Sequence, residues 1–171
     1  MKNTTLGYIE YNNFYLMLYR DVDKSDGSLG KWLGVGGKFE ENETANDCFI
    51  REVFEETGII LKKDDIVARG IVDFKSNNYA NERMYLYTAN VDSDYYDKTC
   101  NEGKLSWIKK DEILNLNMWE GDHVFLERLL ADKPLFNLSL IYGGESGDTL
   151  SEIIDDVLIH DDPIDESFLI E

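Results

Sequence analysis

Residues Gly37 to Ile59 read GKFEENETANDCFIREVFEETGI, and this stretch decides the fold. Gly37 is followed after five residues by Glu43, and after seven more by Arg51-Glu52-Val53-Phe54-Glu55-Glu56-Thr57-Gly58-Ile59. Gly36-Gly37 supplies a backbone free to turn and to approach a ligand closely. Thr44 is placed to cap a helix, and Glu43 just before it suits the positive end of the helix dipole. No Pro or Gly interrupts the chain from Ala45 to Thr57, and Gly58 is the expected stop. On that helix Glu52, Glu55 and Glu56 stand at i, i+3 and i+4, so three carboxylates project from one face. Ala45, Cys48 and Phe49 share that side, whereas Ile50 and Phe54 lie opposite, so the helix is expected to pack on both flanks.

A Glu-rich helix is ordinarily a solvated surface, but such a face carries interspersed Lys at i+4. Here Arg51 is the single basic residue from Thr44 to Thr57. Carboxylates crowded beside apolar neighbours repel one another unless a cation neutralises them. Hard oxygen donors of this kind suit Mg2+ or Mn2+, with water and substrate phosphates completing the shell. Arg51 lies four residues before Glu55, within reach to orient it.

Composition narrows the setting. A chain of 171 residues suits one domain with a real core. No apolar run approaches the roughly 18 residues a membrane span needs. The N-terminus lacks the layout of a signal peptide. Two cysteines, Cys48 and Cys100, make no disulfide framework; Cys48 reads as core, Cys100 as a loop thiol, and the cytoplasm is the expected compartment. A net charge of −18 argues against nucleic acid as a partner, because phosphate backbones need clustered Lys and Arg. A small anionic substrate is compatible, provided that divalent metal and a few local cations overcome the global field.

The charge is unevenly spread. Residues 143–171 hold ten acidic residues and no Lys or Arg, which leaves −8 for residues 1–142. We therefore expect a catalytic domain over 1–142 and an acidic C-terminal extension over 143–171. In the extension Leu150, Ile153, Ile154, Val157, Leu158 and Ile159 suit either one helical stripe or a short strand. Upstream, aromatic-rich runs at Leu6–Tyr11 and Phe14–Arg20 flank Asn12-Asn13 and predict a hairpin. Asp21 to Gly30 reads as loop. Ile66–Lys75, Arg83–Val91, Leu105–Ile108 and Leu135–Tyr142 read as strands, and Trp119–Leu130 as a second helix. Strands interleaved with two helices imply an α/β protein with a mixed sheet covered on both faces.

The spacing of Gly37, Glu43 and Arg51 to Ile59 matches at every defined position the pattern G-x5-E-x7-R-E-U-x-E-E-x-G-U, where U is a bulky aliphatic residue. It resembles the signature of the Nudix hydrolases. The resemblance extends from about Leu6 to Tyr142 and is nearest to the MutT-type branch that contains 8-oxo-dGTP diphosphatases. Gly30-Lys31-Trp32-Leu33-Gly34-Val35-Gly36-Gly37-Lys38 is similar to the family's lead-in to its catalytic loop. Glu102, five residues before Trp107, resembles an acidic residue that some members add to the metal site. Met118-Trp119-Glu120-Gly121-Asp122 resembles the M-W-x-D-D segment that recognises the base in mammalian members.

The resemblance implies a Nudix-type α/β/α sandwich with a mixed central sheet, and metal-assisted hydrolysis of a nucleoside diphosphate linked to another group. Glu52, Glu55 and Glu56 would bind Mg2+ (or Mn2+), with the Gly37 carbonyl and Glu102 as further candidate ligands. Arg51 and Glu43 would orient and support the cluster. Glu55 or Glu102 would take the proton of the attacking water, and the sequence leaves that choice open. Lys38 is the candidate for stabilising phosphate or leaving-group charge, and Arg20 is a second; the alternative for Arg20 is a plain surface role.

Base recognition departs from the family pattern at two positions. Leu33 stands where mammalian members carry an Asn, and Gly121-Asp122 stands where they carry paired Asp. Trp119 is placed to stack on a base and Asp122 to bond its edge; the alternative is a core Trp and a solvated first-turn acid. His123 reads as a surface or cap residue, and His160 has no recognisable partner.

The function expected is pyrophosphohydrolysis of 8-oxo-dGTP or a related purine nucleotide, a small-molecule substrate, with neither nucleic acid nor membrane as partner. Competing expectations are hydrolysis of ADP-ribose, dinucleoside polyphosphates or nucleotide sugars, a nucleotide-sensing module without catalysis, or an interaction protein acting through the acidic tail. The intact set of carboxylates disfavours the sensing module.

Overall fold

The computed structural model describes residues 1–97, 101–133, 136–144 and 149–155. Its centre is a mixed sheet of nine strands. Strand β1 (Lys2–Tyr11) turns at Asn12 and Asn13, both at positive φ (50° and 69°), into β2 (Phe14–Tyr19). Two left-handed residues in succession give the turn whose twist matches the flanking strands, and asparagine tolerates that conformation. Short strands β3 (Trp32–Leu33) and β4 (Val35–Lys38) precede helix α1 (Ala45–Thr57). Then come β5 (Ile66–Ser76), β6 (Glu82–Asn90) and β7 (Lys104–Lys109). Helix α2 (Glu120–Leu130), β8 (Phe136–Gly143) and β9 (Thr149–Asp155) complete the order.

The main path of the sheet runs β3-β2-β1-β6-β5-β8-β9, with β4 paired to β1 and β7 paired to β2. The β1·β6 and β5·β8 pairs are parallel and the others antiparallel. Alternation along the strands divides the core in two. Tyr8, Met17, Val72, Leu86, Leu138 and Leu140 meet Phe125, Leu126 and Leu129 of α2 on one face. Ile9, Leu16, Ile71, Tyr85 and Tyr87 meet Ala45, Phe49 and Val53 of α1 on the other. This is the expected α/β/α sandwich.

Helix α1 begins where the sequence places it. Thr44 Oγ1 accepts from the Asp47 N–H at 3.2 Å, and Gly58, at φ 75°, closes the helix by donating to the Phe54 carbonyl. The helix lies close against β1 because Gly7 has no side chain: a Cβ there would overlap the Phe49 ring. Phe49 instead stacks on Tyr87, centroids 4.7 Å apart and nearly parallel. Packing on both flanks is not fully realised, since Ile50 joins the core but Phe54 is 53 % exposed.

Leu150, Ile153 and Ile154 lie on β9, which pairs antiparallel with β8, and Leu150 packs against the α2-side core. Of the two conformations considered for this stretch, the strand is the one adopted, because the open edge of β8 offers backbone partners that an isolated helix would forgo. Cys100, Pro134, Leu135, Val157, Leu158, Ile159 and His160 lie outside the described residues.

Candidate active site

Strand β4 brings Gly36 and Gly37 alongside α1. A side chain on Gly37 would overlap the Glu52 carboxylate, so the glycine is what lets that carboxylate lie against the strand backbone. Glu56, one turn on, is half-buried and accepts from the Gly36 N–H at 3.4 Å. Glu55 points outward, with a side chain 53 % exposed.

Arg51 ties the helix to the loop before it. Its Nε donates to Glu43 Oε2 at 2.7 Å and its Nη2 to Glu43 Oε1 at 2.9 Å. Nη1 donates to Glu52 Oε1 at 2.8 Å and to Glu55 Oε2 at 3.1 Å, and Nη2 also reaches the Lys38 carbonyl at 2.9 Å. Hydrogen bonding to Arg51 holds the Glu43 carboxyl down at about 2. The Lys38 side chain is exposed, so in this arrangement its backbone, not its ammonium, joins the network.

The two more buried carboxylates of the helix behave differently. Burial pushes Glu56 up to about 8, and the charges of Glu52 and Glu102 add to the rise. Burial also raises Glu52, against the pull of Arg51. Among the described residues, no three metal-ligating side chains converge on one point; the Arg51 guanidinium lies among Glu43, Glu52 and Glu55 instead. The donor chemistry nonetheless fits a hard divalent cation, because Glu52 and Glu56 are carboxylates in a partly dry setting beside Gly36-Gly37, where a bound cation would favour their ionised forms.

Glu102 stands across from this helix. Arg20 Nη1 donates to its Oε2 at 3.0 Å and to its carbonyl at 2.9 Å, and the Lys24 ammonium approaches the same Oε2 at 2.8 Å. Lys24 and Arg20 together hold the Glu102 carboxyl below its ordinary range. Arg20 is therefore no plain surface residue: its side chain is 12 % exposed, and its buried Nε has no partner among the described residues. Lys24 lay in a stretch of Asp, Ser and Gly that reads as a solvated loop, and nothing in the spacing signals its tie to Glu102.

The second group of candidates gathers at the start of α2. Trp119 precedes the helix and stands edge-on to Phe74, Tyr79 and Tyr142, at centroid distances of 6.2, 6.1 and 5.4 Å. Asp122 is buried, at 8 % exposure, rather than solvated. Burial drives its carboxyl up to about 8, Glu82 adds to the rise and Lys31 opposes it. Leu33 is half-buried in the β2–β3 ladder opposite Leu18 and offers no polar group. His123 is half-buried on α2.

Gly121 now has a physical reason. A Cβ there would lie 2.6 Å from both Leu140 Cδ1 and Tyr142 Oη, and the Gly121 N–H donates to that hydroxyl at 2.6 Å. A tyrosine at a strand end thus fills the space of the absent side chain, which no local pattern around Gly121 reveals.

An α/β/α sandwich that sets a carboxylate-bearing helix against a glycine strand is the architecture of Nudix hydrolases. The chain belongs to that family, as a hydrolase of phosphoric anhydride bonds: residues 6–129 match the NUDIX domain. It is 31 % identical over 121 residues to the uncharacterized Nudix hydrolase YvcI of Bacillus subtilis, covering 68 % of this chain and 75 % of that one. It is 30 % identical over 105 residues to the mouse oxidized purine nucleoside triphosphate hydrolase, covering 61 % of this chain and 65 % of that one. The crystal structure of the MutT protein from Bacillus halodurans superposes with a TM-score of 0.76 at 25 % identity, covering 91 % of this chain and 98 % of that one. No helix among the described residues is long and apolar enough to cross a membrane.

Proposed function

We propose that this chain is a Mg2+-dependent pyrophosphohydrolase of a nucleoside triphosphate, 8-oxo-dGTP or a related purine nucleotide, releasing the monophosphate and pyrophosphate. The observation that carries the hydrolytic half is the setting of Glu52 and Glu56 on one helix against Gly36-Gly37, Glu56 half-buried and accepting from the Gly36 N–H. The name of the mouse relative and the Trp119–Asp122 arrangement support the purine half.

Glu52 and Glu56, with the Gly37 carbonyl, Glu55 and Glu102, are the residues that would hold the metal. When bound, Mg2+ (or Mn2+) supplies charge neutralisation for the phosphates and acidifies the attacking water. Arg51 orients Glu52 and Glu55 through the hydrogen bonds of its Nη1. Of the two candidate bases, Glu102 is the weaker acceptor, because Lys24 and Arg20 stabilise its ionised form. Glu55, exposed and tied only through Oε2 to Arg51, takes the proton. Lys38, on the solvent side of the loop, and Arg20 supply positive charge toward the phosphates. Trp119 stacks on the base, and Asp122 bonds its edge.

Steady-state hydrolysis of 8-oxo-dGTP, dGTP, other nucleoside triphosphates and ADP-ribose, with Mg2+ and with EDTA, tests this reading. Turnover that needs metal, is led by a purine triphosphate and falls at least about a hundredfold in Glu55→Gln is the expected result. Turnover led by ADP-ribose removes the substrate half, and a loss in Glu102→Gln without one in Glu55→Gln reverses the base assignment.

A further inference from the structure

Lys31 stands immediately before β3 on a backbone held from three sides. Its N–H donates to the Ser28 carbonyl, its carbonyl accepts from the Arg20 N–H, and the next N–H, of Trp32, donates to the Asn117 carbonyl, all at 2.8–2.9 Å. The side chain then folds over Trp119. The ammonium lies 4.5 Å from the indole centroid and donates to the Gly27 carbonyl at 2.9 Å. Gly27, at φ 82°, packs so closely that a Cβ would lie 2.8 Å from Trp119 Cη2 and 2.7 Å from Tyr79 Oη. One face of Trp119 is therefore covered by a cation belonging to the chain itself.

Resting on the purine site proposed above, we propose that Lys31 is a specificity-determining residue that selects purines with a 6-carbonyl over purines with a 6-amino group. A base that stacks on Trp119 displaces the ammonium from the ring, and its cation–π attraction there is forfeited. The flexible four-carbon stem lets the ammonium swing to the rim of the stacked base. A carbonyl at position 6 accepts from it and offsets the loss. An amino group at the same position is a donor and leaves the ammonium without that partner. The discrimination thus arises as much from what adenine fails to replace as from what guanine gains. Leu33, which presents no polar group, does not compete for this role.

The test compares dGTP, dITP and dATP with the wild type, Lys31→Met and Lys31→Arg. Methionine preserves the length and apolar packing of the stem, and arginine preserves the donor. In Lys31→Met the preference for the two 6-oxo substrates over dATP should fall roughly tenfold, mainly through KM, and Lys31→Arg should restore most of it. Using dITP beside dGTP separates the 6-carbonyl from the 2-amino group. An equal drop for all three substrates, or an unchanged ratio, overturns the proposal while leaving the hydrolase reading intact. Should none of these three nucleotides turn over, the purine-triphosphate reading falls, and calorimetric binding of dGMP and dAMP to the same variants decides the Lys31 proposal alone. Weaker dGMP binding in Lys31→Met with dAMP unaffected then supports it, and any other pattern overturns it.

Discussion

Arg51 and Glu43, eight residues apart, meet in a two-point ion pair with N···O distances of 2.7 and 2.9 Å. The planar fork of the guanidinium matches the carboxylate, and lysine cannot reproduce it. The Glu43 carboxyl is lowered from 4.5 to about 2 in the folded chain. A depressed folded value means that the pair stabilises above the unfolded value and that this contribution is lost as pH falls from 4.5 toward 2. Glu43→Gln should therefore lower stability by about 1–2 kcal/mol near neutral pH and flatten the acid limb. Urea unfolding in EDTA at several pH values reads both effects, and a wild-type acid limb in the variant would count against the assignment.

Divalent metal should raise the melting temperature by several degrees, since a ligand at about a hundredfold its Kd adds about 2.7 kcal/mol. Glu56→Gln should do two opposite things. It removes a carboxyl that the fold holds protonated, at a cost, above its ordinary value of 4.5, so near neutral pH the metal-free protein melts higher. It also removes a candidate ligand, so the rise on adding Mg2+ or Mn2+ shrinks. Calorimetry with EDTA and with metal separates the two, and an undiminished rise would take Glu56 out of the ligand set.

Asp122 titrates in the other sense. Its carboxyl is raised from 3.8 to about 8, so the folded chain holds a proton that the unfolded chain releases above 3.8. The stability associated with it is fully present at low pH and is lost as pH rises toward 8. Asp122→Asn should match the wild type near about pH 4 and exceed it by about 1 kcal/mol or more near about pH 8. Denaturant midpoints that move in parallel across that range would show that Asp122 is not the titrating group.

Gly121 has no room for a side chain. Gly121→Ala should cost about 1–3 kcal/mol through contact with Leu140 and Tyr142. Tyr142→Phe alone should cost about 1 kcal/mol by leaving the Gly121 N–H without its acceptor. In the double variant, removal of the hydroxyl relieves part of the clash, so the combined loss should be smaller than the sum. Strict additivity in thermal melts would argue against direct contact.

The legible parts of this chain were those in which the cause lies within a few residues. Thr44 and Gly58 bracket α1 because capping is local, and Asn12-Asn13 marks the hairpin because two positive φ angles need such residues. The spacing of Glu52, Glu55 and Glu56 was legible because helical periodicity is local, although Glu55 turns to solvent while Glu52 and Glu56 lie against the glycine strand. The hidden parts depend on contacts made across the fold. Arg20 and Glu102 are 82 positions apart, and Lys31 finds Trp119 only when the loop after β2 closes on the start of α2. For Asp122 the sequence leaves a base-binding role and a solvated first-turn acid both open, and its burial at the start of α2 is set by contacts across the fold.

Gly7 carries no functional group, yet it sets the height of helix α1 above the sheet. The Phe49 ring rests where a side chain at position 7 would be, and Glu52 begins one helical turn further on, against Gly37. Any substituent on β1 at that point would jack α1 away from the sheet and slide its carboxylates off the glycine strand. The tolerance of the whole site is thus machined into a position with no chemistry of its own, and an alanine there should cost turnover as well as stability.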